Sequence, residues 1–95
     1  MIIMLKTYLI SYDLIGGEPR VAYQKLRQAI TSVAFWAKPL ESVYIIKSDL
    51  SAIEIAQRLQ KSMHPVDKLL VVEVGKDWGS LNLSNEVVNW LRSNL

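Results

Sequence analysis

The sequence predicts a single α+β domain, an antiparallel sheet with helices laid on one side, and three observations lead there. Runs rich in aromatic and β-branched residues near Leu5–Leu14, Ala34–Leu40, Glu41–Ser48 and Lys68–Gly75 alternate with amphipathic helical patterns. Ser51-Ala52-Ile53-Glu54 is a capping box and Ser84 a further cap, so helix starts are marked by their own chemistry. The 95 residues are 51% hydrophobic with no low-complexity run, which specifies one folded domain spanning residues 1–95.

Each element has its own justification. In Leu5–Leu14, alternation sets Tyr8, Ile10 and Tyr12 on one face and Thr7, Leu9, Ser11 and Asp13 on the other, and the large residues are expected beneath helices. The preceding Met1-Ile2-Ile3-Met4-Leu5 is too short before Lys6 to span a membrane and reads as the start of this strand. Gly16-Gly17 breaks the strand, and Pro19 suits the first turn of a helix because its missing N–H would be unpaired there. Ala22, Leu26, Ala29, Ile30 and Val33 give that helix its apolar stripe. Ala34–Leu40 and Glu41–Ser48 read as a hairpin, with Lys38-Pro39 between them as a turn or edge signal. The helix from Ser51 carries Ala52, Ile55, Ala56, Leu59 and Met63, and His64-Pro65 stops it. In Lys68–Gly75, Leu70, Val72 and Val74 face one way and Leu69, Val71 and Glu73 the other. A last helix carries Val87, Val88, Leu91 and Leu95.

The order β-α-β-β-α-β plus a helix is the ferredoxin-like pattern, here with an additional C-terminal helix. With the first and third strands side by side and parallel, Asp13 and Asp49 would end neighbouring strands at one edge, where oxygen ligands hold hard cations such as magnesium. Glu73 falls toward the other end. Turn chemistry is the competing account of both aspartates, and the stronger one for Asp49. The face left bare is expected to carry Leu9, Ser11, Leu69 and Val71, an apolar patch best covered by a second copy of the chain. A two-fold axis would then bring two copies of Asp13 together.

Charge and composition exclude several classes. Eleven basic and nine acidic residues give +2, too little to imply nucleic acid by itself. A local excess does exist: Arg20, Lys25, Arg27, Lys38 and Lys47 stand against Glu41, and such a patch would make salt-sensitive phosphate contacts unless it is merely a solvated helix face with a lysine-guarded edge. Without cysteine there are no disulfides and no thiolate chemistry, and a reducing cytoplasm is the expected compartment. His64 stands alone, so it reads as a helix-end residue rather than a metal ligand. Gly16-Gly17 could cradle a phosphate, but Glu18 would repel it and the turn reading is preferred. Trp36, Trp78 and Trp90 read as core or dimer contacts before they read as stacking platforms.

Three stretches carry a family resemblance. Tyr8-Leu9-Ile10-Ser11-Tyr12-Asp13-Leu14 resembles the Tyr-Asp first strand of the Cas-two-like proteins, the small CRISPR-associated endoribonuclease and adaptor family whose relatives include virulence-associated protein D. Ser42-Val43-Tyr44 is similar to its Ser-Val-Phe strand, and Asp49-Leu50-Ser51-Ala52-Ile53-Glu54-Ile55 to its Leu-Ser-x-x-Glu-Leu helix start. The resemblance implies a homodimer joined sheet to sheet that binds RNA or DNA, and in some members magnesium-dependent cleavage centred on the first-strand aspartate, here Asp13. Other members are architectural. Gly16-Gly17-Glu18-Pro19 stands where the family has basic residues, and Ser84–Leu95 reads as a helix where the family often has a strand, so a divergent, stand-alone relative is expected.

Two further readings compete with a nucleic-acid-binding, Mg2+-dependent endonuclease. One is a non-catalytic interaction or scaffold module of the same fold. The other is a ligand-sensing regulatory domain, for which the sequence holds no ligand motif.

Overall fold

The computed structural model describes residues 4–33 and 35–95; the expected strand opening at Met1, Ile2 and Ile3, and Ala34, lie outside them. The order is β1 (Lys6–Asp13), α1 (Pro19–Thr31), β2 (Trp36–Leu40), β3 (Val43–Ser48), α2 (Ala52–Gln60), β4 (Lys68–Glu73) and α3 (Asn85–Asn94). The strands form a four-stranded sheet in the order β2-β3-β1-β4, with antiparallel pairing throughout. Among the described residues no helix is long and apolar enough to cross a membrane.

The helix starts follow their sequence signals. In α1 the Glu18 carboxylate accepts from the Arg20 and Val21 N–H groups and Pro19 fills the first turn, so the acidic residue after the glycines is a cap. In α2 the capping box closes reciprocally between Ser51 and Glu54, and Ser84 caps α3 through the Val87 N–H. Helix α2 stops at Gln60, earlier than the His64-Pro65 signal suggests, because Ser62 and Met63 donate to the Leu59 and Gln60 carbonyls in tightened three-residue turns. Met63 still packs against the core from that turn.

The main core lies between the sheet and the α1–α2 layer. Tyr8, Ile10 and Tyr12 from β1 meet Tyr44 and Ile46 from β3, Leu26 and Ile30 from α1, and Ile55 and Leu59 from α2. The ladder pairs Ile10 with Val71 and Tyr12 with Leu69, so Leu69 and Val71 belong to this covered face and pack on the core. Their expected place on the bare face is therefore corrected: Leu70 and Val72, opposite Ser11 and Leu9, are the β4 residues there, 58% and 40% exposed. Alternation divides a strand into two sets, and only pairing with β1 decides which set meets the helices.

The second face is not bare either. Helix α3 and residues 74–83 lie over its β2–β3 half, where Leu91 is buried and Leu40, Val43 and Ile45 line an apolar groove with Trp78, Leu83 and Leu95. What stays open is the β1–β4 half, with Leu70 and Val72 exposed and Ser11 half-buried, while Leu9 lines the groove from its edge.

The loops at one end of the sheet are tied by a single carboxylate. Asp67 accepts from the Ile15 and Gly16 N–H groups through Oδ1, each at 2.9 Å, and from the His64 N–H through Oδ2 at 2.9 Å. Gly17 turns the chain at φ 70°, and a Cβ on Gly16 would overlap the His64 imidazole. The Gly16 N–H above all, with those of His64 and Ile15, holds the Asp67 carboxyl below its ordinary range, while partial burial works the other way. A depressed carboxylate pKa adds stability in full above its unfolded value of about 4 and loses it as pH falls through the folded value. Asp67→Ala is expected to lower the Tm at neutral pH, with the gap to the wild type closing below about pH 4 in thermal melts; a gap that persists at low pH would refute the charge-based account.

Candidate nucleic-acid interface

The polar stripe of α1 falls where the hairpin can face it. Arg20, Tyr23, Gln24 and Arg27 recur at helical spacing, beside the Leu26 and Ile30 stripe that faces the core. They form one wall of a cleft of about 670 Å³ whose other wall is Lys38, Glu41 and Ser42 from the β2–β3 hairpin. Tyr12 and Tyr44 complete the lining. The cleft thus combines three cations, one carboxylate and three phenols.

Its aromatic residues form a connected cluster. The Tyr12 and Tyr44 rings stack at 6.2 Å between centroids, Tyr23 tilts against Tyr12 at 5.9 Å, and Trp36 meets Tyr44 edge-on at 5.9 Å. Tyr12 and Tyr44 are buried, whereas Tyr23 is 40% exposed and offers its ring to solvent. Lys38 is held over the Tyr44 ring, 5.7 Å from its centroid, and donates to the Glu41 carbonyl at 2.7 Å. Burial first, then the neighbouring phenols of Tyr44 and Tyr23, push the Tyr12 hydroxyl up to about 12. Burial also raises Tyr44, with Arg27 acting against it. Both phenols therefore remain neutral donors at physiological pH.

The Tyr12 hydroxyl reaches the Glu41 carbonyl at 3.4 Å. The Tyr44 hydroxyl, on a residue only 1% exposed, is buried without a hydrogen-bond partner among the described residues. Such a group costs about 1–3 kcal/mol, so its retention at the cleft calls for a reason other than stability.

Of the basic residues singled out in the sequence, Arg20, Arg27 and Lys38 converge here. Lys25 is exposed on α1 outside the lining, and Lys47 sits on β3 opposite Thr7, on the other face of the sheet. The expected pairing of Asp13 with Asp49 is corrected by the register: β1 and β3 run antiparallel, with Lys6 opposite Ser48 and Ser11 opposite Val43, so the two aspartates cap opposite ends. At about 3.3 Å per residue they stand roughly 25 Å apart. Asp13 is exposed, its cross-strand neighbour is the cation Lys68, and alternation sets it on the face opposite the tyrosine cleft. No group of three or more His, Cys, Asp or Glu able to hold a metal ion occurs among the described residues. Of the donors around the Gly16-Gly17 turn, the Ile15 and Gly16 N–H groups go to Asp67, and the Arg20 and Val21 N–H groups that open α1 go to Glu18, which leaves those four taken by the chain's own carboxylates.

The tyrosines, Gln24 and Asp67 were not legible as a site in the sequence. The signal that could have found the cleft is the i, i+3, i+4, i+7 recurrence of Arg20, Tyr23, Gln24 and Arg27, which resembles any solvated helix face until the hairpin closes over it. No protein-family model, curated protein or solved structure matches the chain.

Tyr44→Phe is expected to leave the unfolding free energy unchanged or raise it by about 1 kcal/mol in urea denaturation, because it deletes a buried donor that has no partner among the described residues. A loss of stability would mean that the hydroxyl has a partner.

Proposed function

We propose that this chain is a nucleic-acid-binding protein of the Cas-two-like kind, a divergent, stand-alone member working as a cytoplasmic homodimer. The observation that carries the reading is the convergence of Arg20, Arg27 and Lys38 on one aromatic-lined cleft in a chain whose net charge is only +2. Cations supply the phosphate affinity and rings supply sequence-tolerant stacking, the combination by which single strands are held. A ferredoxin-like fold is supported by the element order and by β1 lying between β3 and β4.

Arg27→Gln and Lys38→Gln are expected to weaken binding of labelled RNA or DNA in fluorescence anisotropy. Each should reduce the slope of log K against log salt by about 0.7 for a single strand. Wild-type affinity in both variants would refute the cleft as the phosphate-contact surface.

A second reading adds magnesium-dependent RNA cleavage by Asp13. It is favoured by the open β1–β4 half of the second face, where Leu70 and Val72 stay exposed beside Asp13 and a two-fold partner would bring a second Asp13 to the seam. The distance between Asp13 and Asp49 weighs instead for the non-catalytic scaffold reading. If cleavage occurs, Leu70→Lys should convert the dimer to monomer in analytical ultracentrifugation and abolish cleavage, while Asp13→Ala should abolish cleavage and leave the dimer. Magnesium-dependent cleavage that survives Asp13→Ala would remove the catalytic role.

A further inference from the structure

Resting on the nucleic-acid-binding reading, we propose that the cleft between α1 and the β2–β3 hairpin is a site for one nucleoside phosphate: a base lies on the Tyr23 ring while Arg20, Arg27 and Lys38 hold its phosphate. The occupant is an unpaired nucleotide at a strand end or in a loop, or a free nucleotide, which share this chemistry.

Four observations converge on that ligand. The first is size: the cleft of about 670 Å³ lies within the range of about 300–1,000 Å³ usual for small-ligand sites. The second is the division of labour on α1. Tyr23 sits one turn from both Arg20 and Arg27, so a ring and two guanidinium groups share one helix face at the spacing between a base and its phosphates. Guanidinium forks hold phosphate oxygens in pairs, and the exposed Tyr23 ring rests on buried Tyr12, which fixes the platform from behind.

The third observation is the unspent polar groups. The buried Tyr44 hydroxyl has no partner among the described residues, and the exposed Gln24 amide lies in the same wall. A base edge or a sugar hydroxyl needs a donor and an acceptor of this kind, whereas a bare phosphate would leave the aromatic floor unused. The fourth is the carboxylate. Glu41 in the opposite wall disfavours a second phosphate in the cleft but can accept from a base amino group or a ribose hydroxyl, so it selects one nucleotide over a polyphosphate. A paired base inside a duplex hides both its faces in the stack and cannot lie on Tyr23, which sets the site apart from a general backbone-binding surface.

The test uses the full-length chain. Isothermal titration compares AMP and UMP with adenosine and with inorganic phosphate. Anisotropy compares a single-stranded 12-mer with its duplex, for the wild type, Tyr23→Ala, Tyr23→Phe and Tyr44→Phe. The nucleoside phosphates are expected to bind more tightly than nucleoside or phosphate alone, and the single strand more tightly than the duplex. Tyr23→Ala should weaken both by roughly 5- to 150-fold, as loss of one base stack does, with Tyr23→Phe retaining affinity. Tyr44→Phe should weaken the nucleotide without destabilising the free protein. Equal binding of single strand and duplex with no effect of Tyr23→Ala would overturn the nucleotide site and leave nucleic-acid binding standing. Binding of free nucleotides but not of oligonucleotides would support the site and overturn the nucleic-acid reading instead. Binding of neither would overturn both.

Discussion

With β1 hydrogen-bonded to β3 on one side and to β4 on the other, and antiparallel to both, the end and the face of nearly every side chain in the sheet are fixed. The β1 alternation sends Tyr8, Ile10 and Tyr12 into the core, and the ladders then oblige Tyr44, Ile46, Leu69 and Val71 to follow. Ile10, fully buried at the centre of the sheet, is where these ladders and both helices meet. A shift of one residue would send the whole set to the other face, which is why a strand with one face under helices has a well-defined register.

The same constraint separates two chemistries that the sequence brings close together. Tyr12 and Asp13 are neighbours in the chain, yet the pleat points them to opposite faces: the phenol into the floor of a cation-lined cleft, the carboxylate toward the face where Leu70 and Val72 remain open. A ligand in the cleft and a partner on the second face would therefore not compete for surface. Helix α3 and residues 74–83 cover the β2–β3 half of that second face, with Leu9 of β1 at the edge of the groove.

The cleft also shows where the protein departs from what stability alone would choose. Asp67 and Glu18 satisfy loop and helix N–H groups, Ser51 and Glu54 satisfy each other, and the Tyr8 hydroxyl donates to the Leu50 carbonyl at 2.7 Å. Against that background of paired groups, the Tyr44 hydroxyl, without a partner among the described residues, and the clustered cations stand out as local costs, and such costs gather at sites that bind something.

Sequence alone determined the local elements, because their causes are local: Pro19 and Glu18 start α1, the Ser51 and Glu54 pair starts α2, Ser84 starts α3, and each amphipathic period follows from residues a few positions apart. It also isolated Arg20, Arg27 and Lys38 as part of a basic excess. Strand direction and face were decided only by the tertiary structure, since alternation has no sign until a strand finds its partner. For that reason Asp13 and Asp49 were expected together and lie at opposite ends, and Leu69 and Val71 were expected outside and lie inside. The cleft is not legible in the sequence for a related reason. Its walls are α1 and the hairpin, and their meeting across the sheet depends on long-range pairing that no short stretch of the chain encodes.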